Sequence, residues 1–324
     1  MQIQDVFNRY GDDLKRVEAL MDIHIRSDVD IIPEVIGHLV GSGGKRFRPL
    51  LLLASADLCG YKGEARYALS AVIEFIHTAT LLHDDVVDHA QIRRGKTSAN
   101  NIWGNAASVL VGDFLYSRAF KIMADAGNAA VIKLLSASTS TMAEGEVFQL
   151  VKCGDIHITE KDYFSIIEKK TAVLISAACA IGAILGGATE HKREALTRFG
   201  LRLGLAFQIT DDALDYVAKD VNFGKAIGKD LEEGKITLPL IHCLKKSTAH
   251  EKNLIKEIVG KKEADADAAG LIMALMEDHG SIGYALKKAA FFIDEGKKLL
   301  SGFQNSDAKS ALLATADYIM ERRT

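Results

Sequence analysis

The residues best suited to chemistry are two acidic segments of one form, Asp84-Asp85-Val86-Val87-Asp88 and Asp211-Asp212-Ala213-Leu214-Asp215. Each follows an apolar stretch of helical spacing. Residues four apart share a helix face, so Asp84 pairs with Asp88 and Asp211 with Asp215. Like charges at that spacing repel unless a cation neutralises them. Hard oxygen donors of this kind suit Mg²⁺ carried with the phosphates of a substrate. Either motif alone could be an acidic helix end in solvent; the pair suggests one cleft lined from two sides.

Basic residues trail both motifs. Arg93-Arg94 follow the first, and guanidinium forks match phosphate oxygens, although a local salt-bridge cluster would use the same residues. Gly43-Gly44-Lys45-Arg46-Phe47-Arg48-Pro49 outlines a second anion site. Its glycines turn the backbone, Pro49 opens a helix whose free N–H groups face the loop, and Lys45 and Arg48 can converge on one phosphate. A solvated basic loop would look the same, and the GxxxxGK[ST] nucleotide pattern is absent. His77, two turns before Asp84, reads as a core histidine, or as a phosphate donor if its face lines the cleft. His83 and His89 lack zinc spacing and read as hydrogen-bonding or loop residues. Phe207-Gln208 precede the second motif, and Gly224-Lys225, Gly228-Lys229-Asp230 and Gly234-Lys235 follow it; Lys169, Lys170 and Thr171 add charge at another helix start. The combined chemistry is loss of diphosphate rather than phosphoryl transfer between nucleotides. The apolar helix before the first motif leaves room for a hydrocarbon.

These groups need long helices to hold them, and three prolines in 324 residues permit such helices. The spacing predicts helices over 33–40, 50–59, 65–87, 101–124, 128–152, 160–187, 191–218, 236–244, 263–277, 279–300 and 307–322, with polar loops at 92–97 and 222–234. No strand pattern of useful length competes, and no linker stands out. The expectation is all-α: a single large helical domain over residues 1–324.

Composition narrows the function classes. Apolar residues make up 48% and the net charge is −3, which gives no general reason to bind nucleic acid. Cys59, Cys153, Cys179 and Cys243 show no metal spacing and sit among apolar neighbours, as core thiols of a reducing, cytoplasmic compartment would. The first 28 residues alternate charge with apolar residues and do not read as a signal peptide. The uncharged stretch 171–189 is rich in Ala, Gly, Ser and Thr and reads as a buried helix rather than a membrane span.

The motifs together resemble the trans-type polyprenyl diphosphate synthases, on the long-chain branch similar to octaprenyl diphosphate synthase. The markers are GGKRFRP at 43–49, HDDVVDxxxxRRG at 83–95, GExxQ at 145–149, KT at 170–171, FQITDDALDY at 207–216 and GKxxGKDLEEGKxTLP at 224–239. The resemblance implies an isoprenoid-synthase-type bundle around a central cleft, a homodimer and Mg²⁺ dependence. It implies that Asp84 and Asp88 hold Mg²⁺ on the allylic diphosphate, with Asp85 in support, and that Asp211 holds a further ion with Asp212 and Asp215 near it. By the same token Arg93, Lys170, Lys225 and Lys235 touch the allylic diphosphate, with Thr171 and Gln208 beside it. Lys45, Arg48, His77 and Arg94 bind isopentenyl diphosphate. The implied reaction is stepwise head-to-tail condensation onto an allylic primer such as farnesyl diphosphate, in which Mg²⁺ and the lysines stabilise the leaving diphosphate. Ala79 and Thr80, small residues one turn before the first motif, let a growing tail pass, and Met123 is a candidate stop. The implied product is octaprenyl diphosphate for a quinone side chain, with geranylgeranyl, heptaprenyl or solanesyl diphosphate as alternatives. Release of so apolar a product implies transient membrane contact. A terpene cyclase would not need the isopentenyl site, and a non-catalytic isoprenoid-binding protein would not need six aspartates.

Overall fold

The computed structural model describes residues 1–40, 46–217, 229–259 and 266–321. Lys45 and Lys225, expected to bind anions, lie outside the described residues. Among the described residues the regular elements are helices apart from one tiny ribbon: α1 (Ile3–His24), α2 (Ile31–Val40), α3 (Phe47–Leu58), α4 (Ala65–Val87), strands β1 (Ile92–Arg93) and β2 (Lys96–Thr97), α5 (Ala99–Ala126), α6 (Ala129–Lys152), α7 (Glu160–Ile167), a π-helical turn (Glu168–Ala172), α8 (Val173–Leu185), α9 (Glu190–Leu214), α10 (Lys229–Glu232), α11 (Leu238–Lys246), α12 (Ala249–Val259), α13 (Ala266–Asp278), α14 (Ser281–Leu299) and α15 (Asp307–Glu321). The all-helical expectation holds. Three local expectations do not. The segment 92–97, expected as a loop, pairs as an antiparallel ribbon, Ile92 with Thr97 and Arg93 with Lys96. Its two turn residues, Arg94 (φ 52°) and Gly95 (φ 76°), both adopt the positive φ that a tight hairpin requires. The helix expected over 160–187 is broken by the π turn; of the loop expected over 222–234, residues 222–228 lie outside the described residues and the rest contains the single turn α10. Helices α1 and α12 add to the expected set.

Two compact groups of residues emerge. One comprises Met1–Thr139, Leu174–Gly200 and Leu300–Thr315; the other comprises Ser140–Val173, Leu201–Leu299 and Ala316–Thr324. In the first, α4 packs along α5 and is flanked by α1 and α3. α4 contains neither Gly nor Pro, and its buried face carries Leu69, Val72, Ile73, Phe75, Ile76, Ala79 and Leu82. Each large side chain so buried stabilises by about 1.5–3 kcal/mol. Helix α8 is almost wholly buried, from Leu174 to Ala183, as expected for the uncharged stretch. Its Gly182 lets it approach α3 closely: a Cβ there would stand 2.5 Å from the Ala56 nitrogen. In the second group α11 packs on α14, with α13 against both. Among the described residues no helix is long and apolar enough to cross a membrane. The cysteines are all free. Cys179 and Cys243 are buried, but Cys59 is half-buried and Cys153 exposed, so the expectation of four core thiols is corrected at those two positions. Cys153 sits at the end of α6, where its thiol reaches the Glu233 carbonyl at 3.0 Å.

Candidate active site

In the first group the acidic motif forms the last turn of α4. Asp84 and Asp88 are half-buried, and the Asp88 N–H donates to the Asp84 carbonyl at 2.8 Å. A helix C-terminus carries partial negative charge, so carboxylates there are disfavoured unless something positive meets them. Asp85 turns the other way and is fully buried. It accepts from Arg93 Nε at 2.7 Å and stands 2.5 Å from a second Arg93 nitrogen. The ribbon thus folds back to hold the middle aspartate, which is buried, while the outer two stay half-buried.

A cluster of arginines surrounds His77 in the same group. His77 is half-buried, and its pKa lies well below the usual histidine range. Loss of hydration is the first cause; the charges of Arg48, Arg94, Arg93 and Arg46 follow. His77 is therefore neutral at physiological pH and keeps one N–H to donate. Arg46 adopts φ 44° at the head of α3 and is buried. It donates from Nε to Glu18 at 3.0 Å and from a terminal nitrogen to Glu74 at 3.1 Å. The described non-glycine residues with positive φ are Arg46, His89 and Arg94, all beside the acidic motif or in the arginine cluster. Such conformations cost about 1–3 kcal/mol each and collect at functional sites. Glu74 is the buried counter-ion of this cluster. Glu74→Ala is expected to destabilise the chain by about 3–5 kcal/mol, because it strands a buried guanidinium. Denaturant unfolding checks this, and a loss under about 1 kcal/mol, the range of exposed pairs, would contradict it.

Ala79 is fully buried on α4 and Met123 is buried on α5. Thr80 is half-buried, and its hydroxyl donates to the His77 carbonyl at 2.7 Å. His83 places Nε2 3.2 Å from the Val109 carbonyl, in keeping with a hydrogen-bonding residue.

In the second group, Asp211 is exposed and Asp215 half-buried at the C-terminal end of α9. Asp215 accepts from the Asp230 backbone N–H at 3.0 Å. Asp212 is buried and held at both oxygens, by Gln208 Nε2 at 2.7 Å and by the Tyr163 hydroxyl at 2.6 Å. The Asp212 carboxyl is pushed up to about 7 in all: burial is the largest cause, the bonds from Tyr163 and Gln208 offset part of it, and the charges of Asp211 and Asp215 add to it. Asp230 is pushed well up as well, by burial and then by Asp212 and Asp215. Thr171 donates to the other end of Gln208 at 2.8 Å. Lys170 lies on the π turn, a feature that often marks functional sites, and bonds Glu146 at 2.7 Å. Gly145 lets α6 approach the backbone of this turn, since a Cβ there would stand 2.8 Å from the Lys170 backbone nitrogen. Lys235 bonds Glu233 at 2.6 Å. Tyr163, Lys170, Gln208, Asp212, Asp230 and Lys235 line a cavity of about 100 Å³.

The donor set fits a hard divalent cation. The outer carboxylates are oxygen-only pairs, and among the described residues no group of three or more His, Cys, Asp or Glu side chains forms a protein cage for a metal. An ion held by such a pair would complete its coordination with substrate oxygens and water, which is how Mg²⁺ is commonly bound. Three residues, one in the first group and two in the second, go beyond the sequence reading. Glu74 is the one acid of α4 before the motif, set in an apolar stretch, a signal that local pattern does offer. Glu146 lies in the GExxQ motif, whose acid gains its role only from the contact with Lys170. Tyr163 carries no local signal.

Residues 29–276 match the family model described as "Polyprenyl synthetase". The chain is 38% identical to an octaprenyl diphosphate synthase from Haemophilus influenzae, over 99% of this chain and 98% of that protein. It superposes with TM-score 0.96 and 40% identity on a polyprenyl synthase from Caulobacter crescentus complexed with calcium and isoprenyl diphosphate, covering 100% of this chain and 98% of that one. A decaprenyl diphosphate synthase from Rhodobacter capsulatus gives TM-score 0.94 and 40% identity, covering 99% of each chain.

Proposed function

We propose a reaction for this chain, which belongs to the polyprenyl synthetase family and is a prenyltransferase acting on isoprenoid diphosphates: Mg²⁺-dependent condensation of isopentenyl diphosphate onto an allylic diphosphate such as farnesyl diphosphate, continued to octaprenyl diphosphate. The observation that carries this reading is the outer carboxylate pair kept at the C-terminal end of α4 and again at the end of α9, where helix electrostatics disfavour it. A calcium ion and isoprenyl diphosphate in the Caulobacter structure support a divalent cation held with the substrate. Bound with the diphosphate, Mg²⁺ would supply charge neutralisation to the leaving group. Asp84, Asp88, Asp211 and Asp215 would hold it, and Asp85 would hold Arg93 in place.

Arg93, Lys170, Lys225 and Lys235 would bind the allylic diphosphate and stabilise it as its C1–O bond breaks. Thr171 and Gln208 would order that region through Asp212. Lys45, Arg48, Arg94 and the N–H of neutral His77 would orient isopentenyl diphosphate. Its double bond attacks the allylic C1, and the departing diphosphate takes the proton lost from the adduct. The apolar surroundings of α4 would shield the cation from water. Exposed Leu110 and Phe120 on α5 offer apolar surface for a second copy, which supports a homodimer. We place the enzyme in the cytoplasm, in transient contact with a membrane when product leaves. Likeness to both octaprenyl and decaprenyl enzymes leaves the stopping point to local residues on the path of the tail.

The reaction is tested by following diphosphate release against isopentenyl diphosphate consumption: one for one, and only with allylic primer and Mg²⁺. Release without consumption would indicate hydrolysis or cyclisation instead. Arg48→Ala is expected to raise the KM for isopentenyl diphosphate about tenfold or more, the loss of one charged hydrogen bond, and Arg93→Ala to act on the allylic substrate. Separate saturation curves check this; equal effects of both variants on both substrates would contradict divided roles.

A further inference from the structure

We propose that Tyr163 is a positioning residue for the second acidic motif, acting through the buried Asp212 carboxylate to aim Asp211 and Asp215. The proposal rests on the metal-holding role given above to those two aspartates and extends it to a residue of another helix. The geometry is a closed relay. Thr171 Oγ1 donates to Gln208, Gln208 donates to one oxygen of Asp212, and Tyr163 donates to the other, at 2.8, 2.7 and 2.6 Å. Asp212 is 5% exposed and Tyr163 3%, so neither interaction competes with bulk water. On a helix of 3.6 residues per turn, Asp212 lies roughly 100° round from Asp211, whereas Asp215 returns nearly to the Asp211 face. Fixing Asp212 therefore fixes the rotation of the turn that carries the other two. This turn needs fixing: α9 ends at Leu214, and helix ends fray.

Tyr163 is itself held firmly. Helix α7 starts with a capping box, in which Thr159 Oγ1 accepts from the Asp162 N–H at 3.2 Å and the Asp162 carboxylate accepts from the Thr159 N–H at 3.1 Å. The Tyr163 ring meets Phe164 edge-on at 5.6 Å, and Phe164 meets Phe292 at 5.8 Å. The phenol thus reaches Asp212 from a rigid support. It is too deep to be a metal ligand, and its hydroxyl bonds a residue of the acidic motif.

The test is calorimetric titration of the full-length chain with Mg²⁺ and inorganic diphosphate, without turnover. Tyr163→Phe removes one hydroxyl and is expected to weaken this binding about tenfold or more, as loss of an outer-sphere partner does. The Mg²⁺ concentration for half-maximal condensation rises alongside, while the KM for isopentenyl diphosphate changes less than about twofold. Asp212→Asn is expected to give the same loss, and the double variant no more than the larger single one, because both cut one chain. Thermal melting of each variant separates a folding defect from a binding defect. Wild-type binding by folded Tyr163→Phe, or losses that multiply in the double variant, would overturn the proposal. Should Tyr163→Phe not fold, Asp212→Asn decides: unchanged binding overturns the relay, and the tenfold loss with unchanged melting supports it. A wild-type chain that binds Mg²⁺ and diphosphate but does not condense would overturn the proposed reaction and leave the relay standing.

Discussion

Asp84→Ala and Asp211→Ala are each expected to lower turnover about a thousandfold, corresponding to about 4 kcal/mol of lost charge stabilisation at the leaving diphosphate. Both variants are expected to fold. Each carboxylate stands at a helix C-terminal end, four residues from another carboxylate, so its removal relieves two unfavourable terms of about 0.2–1 kcal/mol each. Melting temperatures should therefore hold or rise slightly while activity collapses. Steady-state condensation at saturating Mg²⁺, with melting curves beside it, checks both halves. A variant that condenses near the wild-type rate would remove the metal assignment for that motif. A variant that unfolds would make the motif structural.

Ala79→Tyr is expected to shorten the product to three or four isoprene units. Ala79 lies one turn before the first motif and is fully buried, so a phenol there intrudes into the packed side of α4. Thr80, its half-buried neighbour, is tied to the helix backbone. Met123 is buried on the adjacent helix α5 and remains a candidate stop for the full-length tail. The ring also risks overpacking, at about 1–3 kcal/mol, so the variant is compared at equal folded fraction. Chromatographic sizing reads the result, and a folded Ala79→Tyr that still makes the wild-type length would contradict a tail path beside this residue.

Much of the fold is legible in the amino-acid pattern alone. Helix α4 can be read to the residue, because 23 positions without Gly or Pro run into a charged motif. The uncharged stretch reads as buried, and α8 is buried. Helix α1 is harder to read although Val6, Tyr10, Val17 and Met21 are spaced to share a face, since the charges between them obscure the stripe. The π turn at Glu168–Ala172 adds no compositional mark, so the pattern predicts one helix where there are two. Ribbon strands of two residues are too short to alternate, and only the Arg94-Gly95 turn announces them. At the site, the carboxylate pairs follow from helical spacing. The buried contacts do not: Arg46 with Glu74 in the arginine cluster and Tyr163 with Asp212 in the second motif are partners 28 and 49 residues apart, joined by tertiary packing that local pattern does not encode.

The central claim is that this chain builds a long prenyl chain on Mg²⁺-bound diphosphate. Its most direct test is to incubate the purified chain with farnesyl diphosphate and excess isopentenyl diphosphate, with Mg²⁺ or with chelator, and to size the extracted lipid. The account predicts a ladder of five-carbon steps that accumulates at eight isoprene units with Mg²⁺ and nothing beyond farnesyl with chelator. A product that stops at geranylgeranyl length, or elongation that proceeds without the cation, would contradict it.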